Sequence, residues 1–189
     1  MRKGASKSKG NFHERKIAKM LSNWYYGEPN ALIRTPSSGA VATFRLDKEM
    51  PCGDIMQVKY YEIPFPFSVE SKHYKTADLI ELLNGNKSSI LIKSWKQAKN
   101  ECGENKKPLL VFTANYKPTL VFVPVNVYWN GLDIMNSLCW DINNVHEAFV
   151  ILFNDLLKSD PNKLKKYFES ENLSIISGSN GAKKVTMDQ

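Results

Sequence analysis

The sequence predicts an α/β fold: a mixed central sheet flanked by helices in three layers. Three observations carry this. A stretch with helical period near the N-terminus precedes three short strand-like runs. A capped helical stretch then leads into two strongly apolar runs. The C-terminal third reads as largely helical. The 189 residues suffice for one domain with a real core.

Residues 1–9 carry Arg2, Lys3, Lys7 and Lys9 and read as a flexible basic arm. A helix is expected from Gly10 or Asn11, with Phe12, Ile17, Met20, Leu21 and Trp24 forming its apolar stripe. Ala31-Leu32-Ile33-Arg34-Thr35 suits a first strand. The stretch Pro36–Met50 is long for a connection between strands, which suggests a functional loop. Gly53–Lys59 is the expected second strand. Pro64 and Pro66 make Tyr60–Pro66 a turn or an edge, and Phe67–Lys72 is the third strand.

Thr76 is placed to cap a short helix over Ala77–Leu83, which Asn84-Gly85-Asn86 ends. Ser88 or Ser89 caps a second, running to about Cys102, with Ile90, Leu91, Trp95 and Ala98 on one side. Leu109–Thr113 and Thr119–Pro124 form a hairpin through Asn115-Tyr116-Lys117-Pro118. Val145, Phe149, Leu152 and Leu156 repeat at helical spacing and predict a helix over 144–158; another is expected over 161–171. Residues 10–124 thus form the expected core, 125–173 a helical extension packed on it, and 174–189 a disordered tail.

Charged residues make up 24% and hydrophobic residues 42%, as in ordinary globular chains. No apolar run approaches the length of a membrane span, and no apolar signal core follows the basic start; a cytoplasmic location is expected. The net charge of +7 suits a polyanion such as DNA, and equally a merely soluble basic protein. Cys52, Cys102 and Cys139 are widely spaced, with no zinc-knuckle pattern, and are expected as reduced thiols.

The chemistry-bearing residues cluster between Gly53 and Lys72. Asp54 opens the second strand; Glu70, Ser71 and Lys72 end the third. Side chains alternate along a strand, so Glu70 and Lys72 share a face, roughly 7 Å apart at their alpha carbons. Two carboxylates and a lysine are a minimal set for metal-assisted phosphodiester hydrolysis. Taken singly, each residue has a plainer reading. Lys72 suits a surface lysine, Glu70 its weak salt-bridge partner, and Asp54 a turn residue after glycine. Glu14 suits a solvated first-turn residue and Gln97 a solvated helix residue.

The order of Glu14 on a first helix, then Asp54, then Glu70-Ser71-Lys72 resembles the PD-(D/E)XK nuclease superfamily, whose fold is restriction-endonuclease-like. Arg34-Thr35-Pro36-Ser37-Ser38-Gly39 is similar to a stretch of archaeal Holliday-junction resolvases. Trp95-Lys96-Gln97-Ala98 and Lys107–Phe112 look like small phage-encoded nucleases. The likeness covers about residues 9–124 and departs from the pattern where Gly53, not Pro, precedes Asp54. It implies a Mg²⁺-dependent endonuclease (Mn²⁺ substituting) with catalytic residues Asp54, Glu70, Lys72, Glu14 and Gln97. Asp54, Glu70 and the Ser71 carbonyl would hold the metal. Arg34, Ser38, Lys3, Lys7 and Lys9 would bind DNA. Branched DNA such as a Holliday junction is the implied substrate and a homodimer the implied assembly, with no membrane and no small-molecule cofactor. The alternatives are a phage nuclease on linear or nicked duplex, and a non-catalytic DNA-binding module of the same fold.

Overall fold

The computed structural model describes residues 3–36, 52–76, 89–103, 105–132, 134, 137–142 and 145–180. Its elements are α1 (Lys3–Tyr26), β1 (Leu32–Arg34), β2 (Ile55–Gln57), β3 (Phe67–Tyr74), α2 (Ile90–Asn100), β4 (Lys107–Ala114), β5 (Leu120–Pro124), α3 (Val125–Gly131), β6 (Ser137–Ile142), β7 (Val145–Leu152), α4 (Phe153–Lys158) and α5 (Pro161–Asn180). Among the described residues the strands form one seven-stranded sheet in the order β1-β2-β3-β4-β5-β7-β6. β3 and β4 are parallel, from Phe67 opposite Lys107 to Tyr74 opposite Ala114, and every other pair is antiparallel. The expected mixed sheet in a three-layer α/β fold is therefore present.

Alternation along the central strands builds the layers. Val69, Leu109, Val111, Val121, Val123, Phe149 and Ile151 face one way and bury against Ile17, Leu21 and Tyr25 of α1 and against Phe153, Leu156, Leu164 and Phe168. Leu110, Phe112, Phe122, Ala148 and Val150 face the other way, onto Leu91, Ile92, Trp95 and Ala98 of α2. The Ser89 hydroxyl accepts from Leu91 N–H and caps α2, as the sequence predicts.

The largest correction lies at 144–158. β7 and α4 occupy that stretch instead of one helix, and with β6 they put two sheet strands inside the expected helical extension. Ala148 and Val150 pack on one face and Phe149 and Ile151 on the other. A strand buried on both faces carries no apolar–polar alternation. With α4 following directly, its continuous apolar run imitates a helical stripe. Three further differences are smaller. α1 begins at Lys3, so Lys3, Lys7 and Lys9 lie on a helix and not on an arm. α5 continues to Asn180, well into the expected tail. Phe12 is 70% exposed, because α1 buries Ile17, Leu21 and Trp24 on the opposite side. The helix expected over 77–83 and most of the 36–50 loop, Ser38 included, lie outside the described residues.

Two local devices fix the edge beside β3. Buried Ser22, near the end of α1, accepts N–H bonds from Ala31 (2.9 Å) and Leu32 (3.2 Å) and donates to the Glu28 carbonyl (2.7 Å). One hydroxyl thereby ties the helix end to the start of β1. The second device is Gly53, at φ +81°, where a Cβ would meet Val69 O at 2.5 Å. Only glycine lets the backbone come so close. From there Asp54 N–H donates to Val69 O (2.7 Å), and Thr35 N–H donates to Asp54 O (2.8 Å).

Between α1 and β3 the rings of His13 and His73 stack at 5.2 Å, and the buried His13 Nε2 has no hydrogen-bond partner among the described residues. Burial, then the charges of His73 and Lys16, lower His13 from 6.5 to about 4.

Two predictions follow from this packing. Gly53→Ala should cost about 2–4 kcal/mol, combining left-handed backbone strain with a clash against Val69. Urea unfolding measures it, and an unchanged midpoint would contradict the close approach. For His13, the unfolded chain protonates near pH 6.5 and the folded chain only near 4. Its contribution is therefore complete above about pH 6.5 and is lost as pH falls towards 4, by about 2–3 kcal/mol. Subtracting the stability profile of His13→Phe from wild type should isolate that loss; parallel profiles would refute it.

Candidate active site

The site forms where β2 begins beside β3. At the two ends of the parallel ladder, Lys107 N–H donates to Pro66 O (2.8 Å) and Asn115 N–H to Tyr74 O (3.2 Å). The even-numbered peptides of β3 thus face β4, and the odd-numbered ones face β2. On the β2 side Val69 O accepts from Asp54 N–H, and Ser71 N–H donates to Asp54 Oδ2 (2.9 Å). The same alternation turns the Ser71 carbonyl towards Asp54.

Glu70 and Lys72 point to the α2 face, as expected from strand alternation. Glu70 is only 4% exposed and bonds through Oε1 to Lys72 Nζ. Glu14 approaches from the α1 side, where it pairs with Arg34 at the end of β1. Gln97 reaches Glu101 across one helical turn, Nε2 to Oε1 at 3.0 Å.

The electrostatics tie these groups together. Burial pushes the Asp54 carboxyl above the usual carboxylate range; the Ser71 N–H opposes this, Glu14 adds to it, Lys72 opposes it and Glu101 adds to it. Burial also raises Glu70, opposed by its bond to Lys72 and reinforced by the charges of Asp54 and Glu101. Lys72 would be lowered by burial, but its bond to Glu70 and the charges of Glu70 and Asp54 outweigh that and hold it above the ordinary lysine range. Asp54 thus disfavours the charged form of Glu70, and carboxylates set side by side in this way suit a cation.

The donor set suits a hard divalent metal. Asp54 Oδ1 and Glu70 Oε2 have no hydrogen-bond partner among the described residues, and the Ser71 carbonyl faces the same side. No group of three or more His, Cys, Asp or Glu side chains that could hold a metal ion occurs among the described residues, so any site here would rest on two carboxylates and a backbone carbonyl.

The structure thus brings together Glu14, Asp54, Glu70, Ser71 and Lys72, with Gln97 linked to them through Glu101. Arg34 lies at the edge of the group, engaged by Glu14. Lys9 is exposed, while the side chains of Lys3 and Lys7 and all of Ser38 lie outside the described residues. Glu101 is the residue that sequence reading misses. It caps the C-terminal end of α2, where the helix dipole disfavours negative charge. An acid at such a position is the signal that points to it.

Cys52 and Cys102 border the site, and both are free and half-buried. No helix among the described residues is long and apolar enough to cross a membrane.

A search of curated proteins and of solved structures finds no match. The family described as "Phage putative PDDEXK endonuclease" matches residues 5–168. That span runs from α1 through β7 to α5 and includes Glu14, Asp54, Glu70, Lys72, Gln97 and Glu101. The chain belongs to this phage PD-(D/E)XK endonuclease family.

Proposed function

We propose that this protein is a metal-dependent endodeoxyribonuclease and that Asp54, Glu70 and Lys72 are its catalytic residues. The observation that carries the reading is the anchoring of the Asp54 carboxylate on the Ser71 N–H, between buried Glu70 and its ion-pair partner Lys72. A structural salt bridge alone would not need a second, half-buried carboxylate held beside it.

Asp54, Glu70 and the Ser71 carbonyl would hold Mg²⁺. When bound, the ion neutralises charge on the scissile phosphate and lowers the pKa of its water. The chain's own contribution is positioning and charge. Gly53 presses the backbone against β3, so Asp54 keeps one oxygen on Ser71 N–H and presents the other. Glu70 and Asp54 hold Lys72 above the ordinary lysine range, which suits it as a fixed cation that steadies the attacking water or the charge growing on the phosphate. Glu14 reinforces the negative field at Asp54 from α1, and Arg34 holds Glu14 in place. Gln97 acts through Glu101, whose charge bears on both carboxylates.

The proposed substrate is branched DNA. The similarity of residues 34–39 to junction resolvases supports it, and the net charge of +7 supports a DNA partner. Cutting two opposed strands of a junction would call for a two-fold dimer.

Cleavage is expected with Mg²⁺ or Mn²⁺, binding without appreciable cutting with Ca²⁺, and neither cutting nor product in EDTA. A gel comparing labelled four-way junction, linear duplex and single strand under each condition tests both metal and substrate. Full activity in EDTA would refute the metal, and equal rates on all three DNAs would refute the branched-DNA preference. Asp54→Ala, Glu70→Ala and Lys72→Ala should each lower single-turnover cleavage at least about a hundredfold, corresponding to roughly 3–4 kcal/mol of transition-state stabilisation. The two acid variants should still bind DNA, since less negative charge then faces the phosphates. Wild-type rates in Asp54→Ala and Glu70→Ala would remove the proposed site.

A further inference from the structure

Two large aromatic side chains stand in solvent near the end of β3 that carries Glu70 and Lys72. Phe12 is 70% exposed, and Tyr116 is fully exposed. Both are tied to that end of the strand by bonds of neighbouring residues. His13, next to Phe12, stacks on His73. Asn115, next to Tyr116, donates its N–H to the Tyr74 carbonyl. Tyr116 sits at φ +59°, a left-handed conformation unusual for a bulky residue, at the tip of the β4–β5 turn. Neither ring contributes to the core, so neither exposure is explained by folding.

Their setting is cationic. Lys9, Lys16, Lys75 and Lys117 are exposed on the same three segments, 8–19, 73–76 and 115–118. Within those segments Glu14 is the one acidic residue, and it is turned to Arg34. Exposed aromatic rings among lysines match the two components of a nucleic-acid strand, bases with π faces and phosphates with charge. In intact duplex the base faces are stacked and unavailable. Rings can reach them only where strands part, at gaps, flaps, ends or junctions.

We propose that Phe12 and Tyr116 are base-stacking residues that direct this protein to DNA containing unpaired bases beside the cleavage position. This rests on the reading of the chain as a DNA nuclease and specifies the substrate feature that its surface recognises. Lys16 and Lys75 hold phosphates on the α1 side of β3, and Lys117 does so on the β4 side.

The test is fluorescence anisotropy in Ca²⁺, so that binding is read without cleavage. The probes are an intact duplex and the same duplex carrying a short gap with 2-aminopurine opposite. Wild type should bind the gapped probe at least about fivefold more tightly and change the 2-aminopurine emission. Phe12→Ala and Tyr116→Ala should each weaken gapped-DNA binding about fivefold or more, while leaving the intact duplex unchanged. Phe12→Trp and Tyr116→Phe should restore both signals. Tyr60→Ala is the control, because Tyr60 is equally exposed but follows the opposite end of β2. Equal wild-type affinity for the two probes, or alanine variants that match wild type on gapped DNA, would overturn the proposal. So would a Phe12→Ala effect confined to sedimentation mass, which would assign that face to a second copy of the chain. Gap-selective binding with no cleavage of any DNA in Mg²⁺ would instead leave this inference standing and remove the nuclease reading.

Discussion

The single hydrogen bond from Ser71 N–H to the Asp54 carboxylate joins the fold to its chemistry. It occupies a peptide donor on the β2 side of β3 next to where the ladder with β2 gives out. A buried N–H left without a partner costs about 1–3 kcal/mol, so the sheet edge needs an acceptor there. A carboxylate that meets this need is oriented by the backbone itself and not by a flexible rotamer. The rest of the arrangement follows from that requirement. Gly53 brings the chain close enough, Thr35 holds the other side of Asp54 in place, and the Ser22 hydroxyl fixes β1 so that Thr35 stands where it must.

The charges are arranged so that the site is under electrostatic tension without a cation. Burial raises both carboxylates, Glu14 and Glu101 add negative field, and Lys72 relieves only part of it. Lys72 already engages one Glu70 oxygen, and among the described residues the second oxygen of each acid has no partner. The tension is local, since the surrounding strands are apolar and provide few competing partners. An environment of this kind suits the divalent metals that PD-(D/E)XK nucleases generally use.

Much of this was legible in the residues, for physical reasons that can be named. The Glu70–Lys72 relation follows from the two-residue period of a strand, and the capped helix over α2 follows from Ser89 and its apolar stripe. Both are local. β7 is not legible, because its core contacts lie on both faces and its pairing with β5 is long-range. Phe12 joins the apolar stripe of α1 by spacing yet stays exposed, because hydrophobicity alone does not say which side of a helix meets the sheet. An acid at the C-terminal end of α2 marks Glu101 as unusual, but its effect on Asp54 and Glu70 depends on where that helix end falls across the sheet, which is a tertiary property. The pairing of Arg34 with Glu14 likewise depends on tertiary placement of β1 against α1.

Gly53 has an evolutionary consequence. Its φ of +81° is closed to proline, whose ring holds φ near −65°. A chain of this fold that places proline before its first acid must therefore bring β2 to β3 by another backbone route. Glycine and proline at this position mark two solutions of the same geometric problem, and the intermediate with either residue on the other's backbone is strained. Exchanging glycine for proline here therefore requires the strand junction to take a different backbone as a unit.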